Sequence, residues 1–330
     1  MNKKLVSTPD QFVPSAGAYA GAMFLKHGLN LNALRTNDLL RKDEWIQFDT
    51  ALVHEAMIRL NGIADLVARG LIYNLPNALG KTIVQWEKIS DMDPAVRSMD
   101  GARRGDRDRQ DFTLNNIPVY ITHKDFNLNL RMLEGSRTLG QPIDVTQIQT
   151  ATRLIVESNE DALFNGPGIT VDGNTAYGYT THPNRNLGTI AEPWTDSATT
   201  GEDMLDDVIQ MITSAHGDRM FGPFMLYLPS GYMTATMDDY KASSDKTILQ
   251  RIKELPGILD VKVSDQLAAG NMVLVQMTSD VVDLISGEQP RVVTWDIEGG
   301  FILCFKVLDI LIPRIKTDAQ NRCGVVHYSE

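Results

Sequence analysis

DVTQIQTATRLIVESNEDALFNG, residues 144–166, carries the period of one long helix. Asp144 and Gln147 stand three apart, the spacing of a capping box in which two orphan amide donors are satisfied reciprocally. Val145, Ile148, Ala151, Ile155, Ala162 and Leu163 recur close to the helical repeat, while Arg153, Glu157 and Glu160 are spaced to reach solvent. Asn165-Gly166-Pro167 supplies the stop, because glycine accepts the left-handed backbone of a helix end and proline cannot continue it. About twenty residues rising ~1.5 Å each make a rod of roughly 30 Å. Such a rod can serve as the spine on which less regular segments are mounted.

Upstream of it the chain changes character three times. Residues 1–41 mix Gly, Ala, Asn and Pro with scattered apolar residues and show no period, which predicts an extended arm. Residues 42–71 return to a helical pattern, with Trp45, Phe48, Leu52, Met57, Leu60, Ile63, Leu66 and Val67 on one face and Gly70 as terminator. Across residues 72–120, Ile83–Ile89 reads as a strand and the stretch from Phe112 to Ile121 as its return, predicting a long β-hairpin. Between those strands lies DGARRGDRDRQD, residues 100–111, in which Arg103, Arg104, Arg107 and Arg109 are matched by Asp100, Asp106, Asp108 and Asp111. A phosphate-binding patch would carry excess positive charge, whereas a surface that meets an identical copy gains from carrying both signs. Arg103, Arg104, Asp106, Arg107, Asp108 and Arg109 are therefore candidate inter-subunit contacts. The plain alternative is a solvated loop tip. A calcium loop is poorly supported, since the required glycine and closing glutamate are missing.

Downstream, residues 167–200 are rich in Gly, Thr, Asn and Pro and read as irregular connection. Residues 201–286 then alternate: a helix on Met204, Leu205, Val208, Ile209 and Ile212, a buried strand at 224–228, a helix opening at Pro229-Ser230 with Ser230 as its N-cap, a helix over 246–255, and strands near 259–263 and 272–276. That order predicts a small α/β domain able to fold nearly independently. Strands at 291–298 and 301–315, joined by a two-residue Gly299-Gly300 turn, close the pattern and are expected to pack with the spine helix.

Composition sets outer bounds. The chain has 330 residues, 43% of them hydrophobic, enough for two or three packed units. Its net charge of −11 argues against an electrostatic grip on nucleic acid, which needs clustered Lys and Arg, although a protein that only encloses nucleic acid can be acidic. The first residues lack a signal-peptide apolar run and no segment approaches eighteen uninterrupted apolar residues, so synthesis in a cytoplasm and no membrane association are expected. Cys304 falls in a strand-like run and Cys323 in a polar tail, predicting one buried small hydrophobe, one loose thiol and no disulfide.

Chemical motifs are close to absent, and no catalytic, cofactor or metal residues are assigned. Gly80-Lys81-Thr82 lacks the glycine and the strand-loop-helix setting of a phosphate loop, and Pro229-Ser230-Gly231 lacks the first glycine of a nucleophile elbow. His27, His54, His123, His182, His216 and His327 show no ligand spacing. Asp91 with Asp93, and Asp206 with Asp207, are spaced so that neither forms an acid pair.

The order of parts resembles the major capsid proteins of tailed phages, the Hong Kong 97-type fold, in the branch closest to encapsulin and linocin-like shell proteins. Ile117-Pro118-Val119-Tyr120 leading to Phe126-Asn127-Leu128, Glu160-Asp161-Ala162-Leu163-Phe164-Asn165-Gly166, residues 177–184 (YGYTTHPN) and residues 222–229 (GPFMLYLP) carry the resemblance over nearly the whole chain. It implies an α+β fold: an N-terminal arm (1–41), an N-terminal helix (42–71), an extended β-hairpin loop lying over a neighbouring subunit (72–120), a peripheral domain (121–200 and 287–330) holding the spine helix, and an α/β axial domain (201–286). The function it implies is structural, not enzymatic: self-assembly, as hexamers and pentamers, into an icosahedral virion capsid enclosing double-stranded DNA without sequence-specific contact, with decoration, scaffolding and portal proteins as further partners. The alternative is an encapsulin-like bacterial nanocompartment shell around a cargo enzyme. The long arm before Asp43 favours the phage version. An α/β enzyme using residues 201–286 is a third reading, and predicts a small oligomer with a ligand pocket.

Overall fold

The structure is a computed structural model that describes residues 61–90, 92, 95, 97, 99, 109–138, 146–241 and 245–330. The expected arm, most of the 42–71 helix, the Asp144 cap and five of the six candidate contact residues lie outside the described residues; Arg109 is described and exposed. In chain order the elements are α1 (Gly62–Ala68), β1 (Ile72–Asn74), β2 (Ile83–Ile89), β3 (Phe112–Pro118), β4 (Thr122–Asn129), α2 (Leu130–Thr138) and α3 (Thr146–Phe164). There follow β5 (Thr170–Val171), β6 (Asn174–Thr175), β7 (Asn186–Thr189), α4 (Gly201–Gly217), β8 (Phe224–Leu228), α5 (Ser230–Ala235) and α6 (Ile248–Lys253). The last elements are β9 (Ile258–Val263), β10 (Asn271–Gln276), β11 (Val282–Ile297), β12 (Ile302–Ile315) and β13 (Val325–Ser329).

The described residues fall into two compact units. One is drawn from Thr122–Val156 and Pro290–Asp309, the other from residues 61–121, Glu157–Gln289 and Ile310–Glu330, so the division runs through α3, β11 and β12.

In the first unit β4 pairs antiparallel with the start of β12, from Ile302 opposite Asn129 to Asp309 opposite Thr122. Ile148, Ala151 and Ile155 of α3 pack on Leu128, Leu133, Leu303, Phe305 and Val307, as the helical spacing requires. Phe126 stacks on Phe305 with centroids 5.0 Å apart. The first half of α3 and the start of β12 thus pack together. Helix α2 was not expected; Gly135 in its middle weakens its sequence signal.

The second unit is built on a five-stranded sheet in the order β7-β13-β10-β8-β9. Strand β10 runs antiparallel to β13 and β8, while β13 with β7 and β8 with β9 are parallel. Its central strands are buried on both faces, and their side chains divide between two clusters with the period of two that a pleated strand imposes. Phe224, Leu226, Leu228, Met272 and Leu274 pack on Met204, Val208, Met211 and Ala215 of α4. Met225, Tyr227, Val273 and Val275 pack instead with Ile63, Leu66, Leu163, Phe164 and Tyr179. Helix α4 starts at a capping box, Asp203 N donating to Thr200 Oγ1 at 3.4 Å and Thr200 N to Asp203 Oδ2 at 2.9 Å. Helix α6 repeats the device with Thr247 and Gln250.

Several expectations are corrected here. Residues 325–329 are not a polar tail but an inner strand of this sheet, and Cys323 is not a loose thiol. It is fully buried, its amide donates to Asp218 Oδ2 at 3.1 Å, and burial pushes its thiol up to about 12. Three of the five strands fall inside the expected 201–286 boundary, whereas β7 and β13 lie outside it, so residues 201–286 do not complete the sheet by themselves. Pro229, not Ser230, occupies the N-cap of α5, and Ser230 is its first helical residue. The turn between β11 and β12 uses Glu298, Gly299 and Gly300, all at positive φ, not a two-residue glycine turn, and β11 begins at Val282.

The carboxyl end of α3 shows why its sequence matters. Glu160 is buried, not solvent-facing: its Oε1 accepts from Gly62 N at 2.6 Å and its Oε2 from Ile63 N at 3.3 Å, tying α1 to α3. Burial is the main reason its carboxyl group lies above the usual carboxylate range. Asp161 Oδ1 accepts from Asn165 Nδ2 at 2.7 Å, and the same amide reaches Gln266 O at 2.9 Å. Tyr179 N and Thr180 N donate to the carbonyls of Leu163 and Phe164 at 2.9 and 2.8 Å, satisfying acceptors that a helix end otherwise leaves orphaned. This crossing requires glycine twice. A Cβ on Gly166 would lie 2.8 Å from Gly178 N, and one on Gly178 would lie 2.3 Å from Gly166 N and 2.6 Å from Phe164 O. Because the obstacles are backbone, Gly178→Ala is expected to lower the subunit's unfolding free energy by at least roughly 1–3 kcal/mol, checked by thermal melting.

Candidate functional site

The hairpin of β2 and β3 is two structures end to end. In register, Ile83 faces Pro118 at the root and Ile89 faces Phe112 at the outer end, and Ser90 N continues the ladder to Asp111 O at 3.0 Å. At the root Val84 and Ile117 are buried in a cluster with Leu75, Tyr120, Ile285, Ile310 and Ile312. Toward the outer end the alternation fails to bury apolar residues: Ile89 is 50% exposed, Phe112 61% and Leu114 60%. Full burial of such a side chain is worth roughly 1.5–3 kcal/mol, and about half of that is still to be gained at each. Among the described residues, this half of the hairpin leaves three large apolar side chains on solvent.

The root is held by charge as well as by packing. Arg314 Nε donates to Asp283 Oδ1 at 2.7 Å, a second guanidinium nitrogen reaches Asp283 Oδ2, and both side chains are buried. Lys316 Nζ adds a contact to Asp283 Oδ2 at 2.6 Å. The guanidinium lies 5.3 Å from the ring centre of Trp86 on β2 and 5.0 Å from that of Tyr73 on β1. A planar cation can make the carboxylate fork and the ring contacts together, which an ammonium cannot.

Of the candidate contact residues, Arg109 is the one described; it is exposed and stands three residues before β3. The histidines are partly gathered. Arg185 Nη1 donates to His182 O at 2.8 Å and its Nε donates to His327 Nδ1 at 3.2 Å, which leaves Nε2–H of His327 to donate to Asn271 Oδ1 at 2.8 Å. His182 Nδ1 accepts from Asn184 N at 3.2 Å. Burial, with Lys88 and Arg185 near His182 and Arg185 beside His327, holds both imidazoles down to about 4. Of the nominal acid pair, Asp206 is exposed while Asp207 is buried and accepts from Trp194 Nε1 at 2.9 Å. Among the described residues, no group of three or more His, Cys, Asp or Glu is placed to hold a metal ion. Lys81 leads into β2 from a single 3-10 turn, with no helix N-terminus to receive a phosphate. No helix among the described residues is long and apolar enough to cross a membrane.

Residues 32–327 match a family of unknown function (DUF6260). The chain is 23% identical over 290 residues to the type 1 encapsulin shell protein EncA of Myxococcus xanthus, covering 84% of this chain and 90% of that protein. A virus-like particle from Pyrococcus furiosus superposes with a TM-score of 0.60 and 17% identity, covering 86% of this chain and 98% of that one. The capsid of the myovirus XM1 superposes with a TM-score of 0.63 and 10% identity, covering 79% and 90%. The fold is the Hong Kong 97-type capsid fold, α+β, as the sequence resemblance implied.

Because His182 and His327 titrate near 6.5 when unfolded and about 4 when folded, the stability they contribute is present above pH 6.5 and is lost as pH falls through about 4. Thermal melting across pH 7 to 4 is expected to show that loss, and His327→Gln, which cannot take up a proton, is expected to lose less.

Proposed function

We propose, on the premise that this chain belongs to the family of unknown function DUF6260, that it is a shell-forming structural protein: the major capsid protein of a tailed bacteriophage, self-assembling into the icosahedral shell around double-stranded DNA. The observation that carries this reading is the hairpin whose root is fixed in its own core while Ile89, Phe112 and Leu114 stand exposed. A second copy of the chain is the partner we assign to that surface. The shell fold shared with EncA, the virus-like particle and the phage capsid supports the assignment. Repeated contacts of this kind close a shell collectively, although each is weak.

In this reading the subunits gather as hexamers and pentamers, the chain is made in the host cytoplasm, and it resides in the virion capsid. Residues 72–120 form the extended loop, 121–200 and 287–330 the peripheral domain, and 201–286 the axial domain, each with its share of subunit contact. Decoration, scaffolding and portal proteins are further partners. The acidic chain encloses DNA without gripping it, its net charge of −11 repelling phosphate. No catalytic role is assigned. The match to EncA over 90% of that protein favours a second reading, the shell of a bacterial compartment holding a cargo enzyme.

Electron microscopy of the purified protein tests both. Closed shells are expected, with double-stranded DNA inside for the phage reading and protein cargo for the compartment; small discrete oligomers without shells would overturn the proposal. For the charged tip, reversing Arg103 and Arg104 to Glu is expected to cut shell yield while leaving the melting temperature of the subunit unchanged. Undiminished yield at physiological salt would remove Arg103, Arg104 and their neighbours from the contact.

A further inference from the structure

Among the described residues of the second unit, two lysines pair with aspartates whose side chains are 8% exposed, and the surroundings of the two pairs differ. Lys316 Nζ meets Asp283 Oδ2, but the buried Arg314 guanidinium occupies both oxygens of that carboxylate, an arrangement built for an ion pair. Asp65 is held otherwise. Its Oδ1 takes Lys262 Nζ, and its Oδ2 accepts from the buried hydroxyl of Tyr227 at 3.0 Å. Glu160 lies close by: burial first, and then the charge of Asp65, lifts its carboxyl group above the usual carboxylate range.

The backbone places these groups. Asp65 stands in the first turn of α1, whose start is fixed by the two Glu160 oxygens on the amides of Gly62 and Ile63. Tyr227 and Lys262 are register partners across the parallel strands β8 and β9, so their side chains leave the sheet side by side on one face. Tyr227 belongs to the core cluster that also holds Ile63, Leu66, Leu163 and Phe164. A lysine side chain one-third exposed thus meets a carboxyl group that water scarcely reaches.

We propose that Lys262 and Asp65 condense within one chain to an isopeptide bond between Nζ and Cγ, a covalent tie from the edge strand β9 to α1. The ammonium first passes one proton to Oδ1, leaving a neutral amine beside a neutral acid. The Nζ lone pair then adds to Cγ, and the negative charge that develops on Oδ2 is met by the Tyr227 hydroxyl, which already donates there. A second proton moves from nitrogen to Oδ1, the bond from Cγ to Oδ1 breaks, water leaves, and the third hydrogen stays on the amide. Ammonium and carboxylate become amide and water, with charge balanced and no outside reagent. Groups held in contact react at effective molarities that reach on the order of 10⁵–10⁸ M, which is what condensation in water requires. The product also removes the charge of Asp65 from beside Glu160. Closing a span of 197 positions restricts the unfolded chain, as a long-range disulfide does. Every group named belongs to one chain, so the inference stands or falls apart from shell formation.

Mass spectrometry of the purified full-length protein, denatured and reduced, tests it. The wild type is expected to weigh one water less than its sequence requires, and Lys262→Arg, which keeps the charge but cannot form this amide, is expected to show its full mass. Tryptic digestion of the wild type is expected to give a branched peptide that joins the segment bearing Asp65 to the segment bearing Lys262, uncut after residue 262. Tyr227→Phe removes the donor on the reacting carboxyl group and is expected to slow closure about a hundredfold or more, read as chains at full mass that lose water on incubation. Should a variant fail to fold, the wild-type peptides decide alone. Separate, unmodified peptides for Asp65 and Lys262 mean an ion pair only and overturn the inference, as does a water loss that Lys262→Arg retains.

Discussion

The close crossing of Gly166 and Gly178 is the constraint on which the second unit depends. There the end of α3 and the following loop meet backbone to backbone, so that Leu163 and Phe164 hand their carbonyls to Tyr179 and Thr180 while their side chains enter the core beneath the sheet. Glu160, one turn earlier, takes the amides of Gly62 and Ile63 and so fixes the start of α1 against the same helix. Asp65 of α1 in turn accepts from Tyr227 at 3.0 Å and pairs with Lys262, carrying the chain of contacts to β8 and β9. One helix terminus thereby sets the positions of a helix, a loop and two strands.

The residues that do this were visible in the sequence as a helix-ending pattern, but their work was not. Glu160 looked like a solvent position because helical spacing alone cannot show that another segment will arrive carrying two unsatisfied amides. Long periodic segments read well: α3, the hairpin strands, α4 and β8 fall where their periods placed them. What failed was short or context-bound. Strand β13 follows a polar run and offers only five residues, although Val325, Val326 and Tyr328 are strand formers; its burial comes from neighbours far away in sequence. The capping boxes at Thr200 and Thr247 are legible in the three-residue spacing to Asp203 and Gln250.

Of the candidate contact surface, the sequence showed the charge and the structure supplies the apolar part. Matched arginines and aspartates mark residues 100–111 in the sequence, while Ile89, Phe112 and Leu114 carry only the pattern of ordinary strand residues. Only the register, which sets Ile89 against Phe112 beyond the buried root, shows that among the described residues these side chains stand outside the core. The cation held between Trp86 and Tyr73 was equally hidden, since Arg314 lies more than two hundred residues from both rings.

The place of β13 also governs when the subunit can become a subunit. Strand β7 reaches the rest of its sheet only through β13, and β10 lacks its neighbour on one side until residues 325–329 arrive. During synthesis the sheet therefore stays open along an inner edge until residues 325–329 have left the ribosome. An open inner edge is a hazard, because unpaired strands recruit other chains. It is equally a timer: a polypeptide that lacks residues 325–329 lacks the strand that joins β7 to β10.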